Sequence, residues 1–390
     1  MLRVGSRTMA LLAACATPVA VWVGSAGSAE VHAERVPVGR YAEIRYGVSR
    51  AHPCPAEAMD ARRTGRSPIR VKSDAPSLWW KLELDSGEPT APAVAEDGTL
   101  YLGTTGGVYA GAPDGRLLWV KRVGTIERQP AFTPSGSLLV VTDSGVLLEL
   151  SLRGEAREIG GGLASPGFPL VLDGGEVAVA ARDGDVRVLD LQGRRLGALA
   201  SRHRGAVAIA RLSSGLLVSA SADPFMHVFS ASGAQHRMVM LHDGIVAGPL
   251  LGDDDTIWVV RADGTLLGLS AGGRVRAQAR LGAISMKSVP AVGKDGALRL
   301  GTGDDSLVCI GRDGSLRWQL GVDGRLGPVT LDADDLALAV SSRGVLYGVE
   351  PNGTRRFRVR VNAQGAPRPV PGDSGVIYIV SDNGTLSAWK

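Results

Sequence analysis

Clusters of aspartates are the residues of this 390-residue chain whose chemistry stands out first. Carboxylate oxygens are the ligands that Ca²⁺ prefers, and three groups could supply them: Asp253-Asp254-Asp255, Asp304-Asp305, and Asp332 with Asp334 and Asp335. None has the spacing of a known calcium loop, and each follows a predicted strand. Aspartate is favoured in turns because its side chain bonds the local backbone and tolerates left-handed geometry. We therefore interpret these clusters, and Asp183-Gly184-Asp185, as turns.

Histidines are the second candidate for a metal site, because four of the six fall close together: His203, His227, His236 and His242. Their separations match no zinc signature, and none has a cysteine nearby. His227 alternates with two phenylalanines, which indicates a partly packed strand position. Spacing gives no support for a nucleophilic triad either. We predict no catalytic, cofactor-binding or metal-binding residues, and no cofactor.

Three cysteines remain to be placed, at Cys15, Cys54 and Cys309. Leu12-Ala13-Ala14-Cys15 resembles the lipobox of bacterial lipoproteins, in which Cys15 would be acylated. The apolar run before Cys15 is very short and continues past it, which favours an ordinary cysteine within a signal sequence. Cys54 and Cys309 could pair in an exported protein, but spacing cannot establish the bond, and two isolated cysteines are the simpler expectation.

The first 33 residues have the organisation of a signal peptide. Arg3 and Arg7 precede an apolar stretch from about Met9 to Val23, and small residues follow with cleavage positions at Ala29 or Ala33. No later segment has the run of about 20 apolar residues that a membrane span needs. We expect export to the periplasm, the outer membrane or the medium, with Cys15 as the candidate for a lipid anchor.

The positive charge of the chain lies outside its repeated part. Residues 1–33 hold two arginines and one glutamate, and residues 34–76 hold nine basic and five acidic side chains. The remaining residues, 77–390, therefore carry a net charge of −1 although the whole chain carries +4. Nucleic-acid binders concentrate lysine and arginine on the folded domain, so nucleic acid is excluded as a partner.

A repeat of about forty residues occupies 77–390. Turns recur at intervals of 38 to 41 residues at Gly98, Gly136, Gly175, Gly215, Asp255, Gly296, Asp335 and Gly375. Between the turns, apolar and small or polar residues alternate as in β-strands. Each unit supplies four short antiparallel strands, which is typical of a propeller blade. The sequence predicts an all-β, eight-bladed β-propeller that is monomeric.

The two ends of the chain are predicted to close the ring. The eighth unit stops at Lys390, one strand short, and Ser77–Leu84 resembles the missing outer strand. This N-terminal strand should complete the last blade. Residues 34–76, rich in proline and arginine, are interpreted as an irregular leader. We expect deletion of 77–84 to destabilise the ring and deletion of 34–70 to leave it intact.

Tryptophans recur in the predicted outer strand at Trp80, Trp119 and Trp318, with Phe357 at the same position of the seventh unit. Bulky rings there would fill the gap between neighbouring blades. Full burial predicts that replacing Trp119 or Trp318 by alanine costs about 3–5 kcal/mol.

The unit, with its Pro-Ala, Asp-Gly-Thr-Leu-Tyr and Asp-Gly-x-Leu-x-Trp elements, resembles the PQQ-like β-propeller repeat. The best copies are 91–121, 289–320 and 367–390, whereas the fourth unit is similar to a WD-type repeat. The family includes quinoprotein alcohol dehydrogenases and the outer-membrane protein assembly factor B, a lipoprotein scaffold of similar length. The resemblance implies either an enzyme or a protein-binding scaffold.

The enzyme branch of this family implies a quinone held by stacked aromatics, a divalent cation and an aspartate base, often beside two adjacent cysteines. Here no two cysteines are adjacent, and 77–390 is shorter than such enzymes usually are. We therefore expect a non-enzymatic envelope scaffold that binds other proteins, in the style of the assembly factor. A quinone-dependent dehydrogenase-like enzyme and a propeller that binds carbohydrate or another small ligand remain the alternatives.

Overall fold

The computed structural model shows eight antiparallel sheets arranged as a ring of blades. It describes residues 21–22, 56, 58–84, 87–163, 169–205, 207–234, 236–282 and 288–390. We number the blades 1 to 8 in chain order from Ala93 and the strands of each blade from the axis outwards. The predicted all-β, eight-bladed propeller is confirmed.

The strands of blades 1 to 7 follow one another in the sequence, and blade 8 takes its outer strand from the other end of the fold. The first strands are Ala93–Val94, Ala131–Phe132, Leu170–Val171, Ala208–Arg211, Ile245–Leu251, Ala291–Val292, Thr330–Leu331 and Val370–Pro371. The second strands are Leu100–Thr104, Leu138–Val141, Val177–Ala180, Leu217–Ala220, Ile257–Arg261, Leu298–Gly301, Ala337–Val340 and Ile377–Val380. The third strands are Gly107–Gly111, Leu147–Leu150, Val186–Leu189, Phe225–Phe229, Thr265–Leu269, Ser306–Ile310, Val345–Val349 and Thr385–Trp389. The outer strands are Leu117–Lys121, Ala156–Gly160, Arg195–Leu199, His236–Met240, Val275–Arg280, Leu316–Gly321, Arg355–Arg360 and Leu78–Glu83.

Two small elements lie outside the four-stranded pattern of the blades. Val21–Trp22 adds a fifth strand to the outer edge of blade 4, where it pairs with Met238 and Val239. Asp373–Gly375 forms a single 3-10 turn in blade 8. Within the described residues, no helix has the length and hydrophobicity needed to cross a membrane.

The recurring turn follows from local chemistry, as the first turn of blade 1 shows. The N–H of Gly98 donates to the carbonyl oxygen of Ala95 (3.0 Å), and Gly98 has a φ of +81°. The side chain of Asp97 accepts the N–H of Thr99 (2.9 Å). A type I turn followed by a left-handed glycine matches the twist of a hairpin, so this spacing sets the strand register.

Closure of the ring by the two ends of the chain is confirmed. Leu78–Glu83 is the outer strand of blade 8 and pairs antiparallel with Thr385–Trp389. Ser77 and Lys390 exchange both backbone hydrogen bonds, each at 2.9 Å. The last blade is therefore assembled from both ends of the fold.

The hydrophobic core lies between blades rather than at the axis. Eight clusters of buried side chains each join two neighbouring blades, and the cluster between blades 8 and 1 includes Leu100, Leu102, Tyr378 and Leu386. Both faces of the second and third strands are consequently buried. This is why those strands contain so few charged residues.

The tryptophans of the outer strands contact the next blade, as predicted. The indole N–H groups of Trp80, Trp119 and Trp318 donate to the carbonyl oxygens of Pro113 (2.8 Å), Leu152 (3.0 Å) and Pro351 (2.8 Å). Each ring also lies against a glycine two residues after that carbonyl, at Gly115, Gly154 and Gly353. All three side chains are half-buried, so full burial was an overestimate.

We now expect Trp119→Ala to lower the free energy of unfolding by about 2–3 kcal/mol, less than the loss of a fully buried tryptophan. The indole bridges blades 1 and 2, and alanine leaves the carbonyl of Leu152 without this donor. Urea unfolding monitored by circular dichroism measures the change. Leu152→Ala, on the exposed side of the same contact, is the control and should cost under about 0.5 kcal/mol.

Residues 58–71, which the sequence placed in the irregular leader, are part of the ring. We call them the axial segment, because they cross the end of the central channel where the first strands end. The carbonyl oxygens of Ala61, Arg62, Thr64 and Gly65 accept backbone N–H groups at 2.8–3.0 Å; the donors are Arg211, Leu251, Val292 and Leu331. Consecutive parts of the segment therefore contact blades 4, 5, 6 and 7 in order.

The axial segment is also buried by its side chains. Met59 packs against blades 8 and 1, Ala61 against blades 3 and 4, and Val71 against blades 7 and 8. Each is less than 5% exposed. The expectation that 34–70 can be deleted without effect is therefore wrong for residues 58–70, because their removal would expose core and unpair four backbone N–H groups.

Candidate functional site

Arginines of the axial segment bind two of the aspartate clusters. Arg62 pairs with Asp255 at 2.7 Å, and its own side chain is only 2% exposed. Arg66 binds Asp253 through its two terminal guanidinium nitrogens, Nη1 and Nη2. Such paired, charge-assisted contacts have directional preferences that a carboxylate satisfies well. The carboxylates of Asp253 and Asp255 thus bind guanidinium groups of the axial segment.

The third cluster, Asp332 with Asp334 and Asp335, also contacts the axial segment. Arg70 pairs with Asp334 at 2.7 Å. Asp332 accepts the backbone N–H of Asp334 (2.8 Å), Leu336 (2.9 Å) and Val71 (3.0 Å). Burial raises the pKa of Asp332, and these hydrogen bonds oppose that rise. The carboxylate therefore joins the turn of blade 7 to the axial segment.

The interpretation of the aspartates as turn residues is confirmed. Asp255, Asp305 and Asp335 have φ values of +58°, +57° and +63°. Asp183 accepts the N–H of Asp185 at 3.0 Å. What the sequence did not reveal was the arginine partners, which lie 187 to 264 residues away.

The histidines of blade 4 do come together. His203 contacts Ser219 through Nε2 (2.9 Å) and Asp223 through Nδ1 (3.1 Å). This order of groups resembles a nucleophilic triad. Ser219 is fully buried in the second strand, however, and His227 lies opposite it on the third strand. A substrate cannot reach the hydroxyl, so the network holds the 201–205 loop to the blade.

Electrostatics agree with a structural role for this network. Burial lowers the pKa of His203, although Asp223 opposes the shift. The pKa of Asp223 is lowered despite partial burial, because His203 and Ser221 stabilise the carboxylate. The imidazole is therefore neutral at pH 7 and acts as a hydrogen-bonding group.

His227 is buried, as its alternation with the phenylalanines predicted, and its neighbours are imidazoles. Its Nδ1 lies 2.8 Å from Nε2 of His236. Burial and the two neighbouring histidines lower the pKa of His227 to about 3. A cavity of about 610 Å³ beside it is lined by Arg202, Arg204, Asp223, Phe225, His227 and Met238. In the described part of the chain, no three His, Cys, Asp or Glu side chains converge on one point as a metal site.

Lowering the pH from 7 to 5 should reduce the free energy of unfolding by about 2 kcal/mol through His227. Its pKa of about 3 in the folded state lies below the ordinary value of 6.5, so the unfolded chain takes up the proton first. The loss begins near pH 6.5 and grows as the pH falls. Urea unfolding at several pH values measures it.

His227→Gln should flatten this pH dependence. Trp119→Ala is the matched control, because it lowers stability without changing an imidazole and should shift the whole curve in parallel. An unchanged slope in His227→Gln would show that other groups cause the acid sensitivity.

A Gly-x-Ser-x-Gly sequence occurs at Gly268–Gly272 in blade 5. The Ser270 hydroxyl accepts the N–H of Arg274 at 3.1 Å, in the turn between the third and outer strands. A nucleophile elbow joins a strand to a helix and exposes its serine. Here the turn joins two strands, so Ser270 has the role of a turn residue.

The channel end opposite the axial segment holds a shallow pocket of about 360 Å³. Its walls include Thr90, Glu127, Gln129, Arg368 and Asp382. The side chain of Gln129 donates to the carbonyl oxygen of Pro92 at 3.0 Å, and that of Arg368 to Val329 at 3.3 Å. None of the described residues lining this pocket is aromatic. The stacking platform that the family resemblance implies for a quinone is therefore absent from these walls.

The outer strands differ around the rim in the residues at their first two positions. In blades 2 to 7, at least one of the first two residues of the outer strand is arginine: Arg157, Arg195, Arg237, Arg276, Arg317, and Arg355 with Arg356. In blades 8 and 1 these residues are Leu78-Trp79 and Leu117-Leu118, each 46–49% exposed. We call these four residues the apolar seam.

The two halves of the apolar seam are neighbours. The ring of Trp80 lies against Gly115, and Leu117 begins the next strand two residues later. The ammonium of Lys390 lies 5.2 Å from the ring centre of Trp79. The point where the chain ends meet is therefore also where the first two positions of the outer strands hold no arginine.

The cysteines divide between the described and undescribed parts of the chain. Cys309 is buried in blade 6 as a free thiol, and burial raises its pKa. Cys15 and Cys54, and the cleavage positions Ala29 and Ala33, lie outside the described residues.

Comparison with known proteins identifies the fold. BamB from Moraxella catarrhalis superposes with a TM-score of 0.60 at 18% identity, over 81% of this chain and 97% of that one. Quinohemoprotein alcohol dehydrogenase from Comamonas testosteroni gives 0.67 at 11% identity, over 86% and 80%. The computationally designed protein Ika8 gives 0.65 at 15% identity, over 80% and 99%. No family model and no curated protein matches the sequence. The fold is thus an eight-bladed propeller similar to those of an alcohol dehydrogenase and of BamB.

Proposed function

We propose that this chain is an exported, non-enzymatic scaffold of the cell envelope that binds a protein partner at the apolar seam. We propose further that it takes part in outer-membrane protein assembly. The observation that carries the proposal is the change of the rim from arginine to leucine and tryptophan at blades 8 and 1. The similarity to BamB supports the proposed setting.

The chemistry of the seam supports a protein as its occupant. The centres of protein interfaces are depleted in most charged residues and enriched in aromatic side chains such as tryptophan. Four large apolar side chains stand about half exposed on the outer strands of blades 8 and 1. Their exposure to water costs free energy unless a partner covers them. The strand Leu117–Lys121 pairs on one side only among the described residues, which leaves its other edge for an added strand.

The alternative of a quinone-dependent enzyme has less support in the described residues. The propeller of the alcohol dehydrogenase is similar in fold. The pocket at the channel end nevertheless has neither aromatic walls nor a cluster of three metal-binding side chains in the described part. Quinone-dependent dye reduction by the purified protein, after incubation with the quinone and Ca²⁺, would revive that alternative.

Affinity purification from the native envelope tests the scaffold. Leu117→Ala with Leu118→Arg copies the Ala156-Arg157 pair of blade 2 into blade 1 and should reduce recovery of the seam partner at least about tenfold. Leu316→Ala changes a leucine on the rim of blade 6 that is more exposed than Leu117; it is the matched control and should recover the partner fully. Equal recovery with both variants would contradict the proposal.

Two further measurements complete the test. Light scattering of the pure protein distinguishes a second copy of the chain from a different partner, because only self-association would disappear in the pure seam variant. Mass spectrometry of the mature N-terminus distinguishes acylated Cys15 from cleavage near Ala29 or Ala33. Retention of the intact N-terminus in the native host would contradict export by a cleaved signal.

A further inference from the structure

We propose that His227, His236 and Met238 on the outer half of blade 4 form a binding site for copper(I). His227 Nδ1 and His236 Nε2 are 2.8 Å apart, and the two ring planes are within 10° of parallel. The ring centres are 5.1 Å apart, which is roughly the nitrogen–nitrogen distance plus two ring radii. The rings therefore meet edge to edge, with one nitrogen of each facing the other.

This arrangement can take up a metal with little rearrangement. Each neutral imidazole can carry its proton on the outward nitrogen, so both inward lone pairs become available without net loss of a proton. A metal bonded at about 2.0–2.1 Å to both nitrogens in a three-ligand site, with angles near 120°, needs them about 3.5 Å apart. His236 is exposed on the outer strand and has to move by about 0.7 Å.

Met238 supplies a third ligand of a kind that selects copper. It is the direct cross-strand partner of His227, so the two side chains share one face of the blade. Both line the cavity of about 610 Å³, which gives the ion an entry path. A thioether is a soft ligand that favours Cu(I), whereas Zn²⁺ and Ca²⁺ rarely use it.

The charges around the cavity favour a monovalent ion. Arg202 and Arg204 line the same cavity and repel cations, and Asp223 only partly offsets them. Repulsion doubles for a divalent ion at the same distance. Cu(I) therefore fits both the ligand set and the local charge better than Cu(II) or Zn(II).

Competition with the chromophoric chelator bicinchoninate, under anaerobic reducing conditions, tests the site. The full-length chain carries Cys15→Ser and Cys54→Ser, because cysteine thiolates also bind Cu(I). We expect one Cu(I) per chain, with affinity at least about tenfold lower in His236→Gln, since this variant removes a ligand. Met238→Leu should lower Cu(I) affinity by about tenfold and leave Zn(II) affinity unchanged.

The controls come from the same strand. Met240→Leu keeps all three ligands and should bind Cu(I) as the parent chain does, and circular dichroism verifies that each variant is folded. X-ray absorption should show sulfur scattering from copper in the parent and not in Met238→Leu. Stoichiometric binding that survives His236→Gln, or no binding tighter than that of the chelator, would overturn the proposal.

Discussion

A chain that lacks residues 58–71 should lose more than about 5 kcal/mol of its free energy of unfolding, which is a large part of the stability of a typical domain. Met59, Ala61 and Val71 are buried between blades in the intact chain. Four backbone N–H groups of blades 4 to 7 also lose their acceptors, and a buried N–H without a partner costs about 1–3 kcal/mol. The loss is measured by guanidinium unfolding and calorimetry.

Single substitutions locate the source of this effect. Met59→Ala should cost about 2–4 kcal/mol, because it leaves a cavity between blades 8 and 1. Lys72→Ala, at an exposed position just past the axial segment, is the control and should stay within about 0.5 kcal/mol of the parent. If the deletion and Met59→Ala both unfold like the parent chain, the axial segment does not stabilise the ring.

The sequence did not predict the axial segment for a physical reason. A strand is recognised in a sequence by the alternation of apolar and polar residues, because its neighbours bury every second side chain. The axial segment instead gives successive carbonyl oxygens to different blades, so its buried residues have no period. Its arginines looked like a solvated basic stretch, and only the fold brings Arg62 and Arg66 to Asp255 and Asp253.

The propeller and its closure were predictable because they depend on local signals. Turn residues recur at fixed intervals, and each unit repeats the same apolar alternation, so a missing strand at one end can be matched to a spare one at the other. The apolar seam could have been found in the same way, by aligning the outer strands and noting where arginine is absent. The contact between His227 and His236 could not, because it depends on the register of two strands.

Loss of the strand that closes the ring should also destabilise the protein strongly. Replacing residues 77–84 by a glycine-serine linker of equal length keeps the axial segment attached but removes Trp80 and Leu82 from blade 8. We expect a loss of about 5 kcal/mol or more, from one bridging tryptophan, one leucine and the pairing of a whole strand. Hydrogen exchange should rise first in Ile377–Val380 and Thr385–Trp389, because these strands lose their cover.

A peptide in trans separates loss of this strand from general damage to the fold. A synthetic peptide of residues 77–84 should occupy the vacated edge and raise the melting temperature of the linker variant as its concentration rises, since a ligand that binds only the folded state stabilises it. The same peptide with Trp80→Ala and Leu82→Ala keeps the backbone donors but lacks the two side chains that face the ring, so it should give little rescue. Equal rescue by both peptides would mean that backbone pairing alone closes the ring. No rescue by either would mean that blade 8 collapses without its outer strand, and the closure would then be needed for folding as well as for stability.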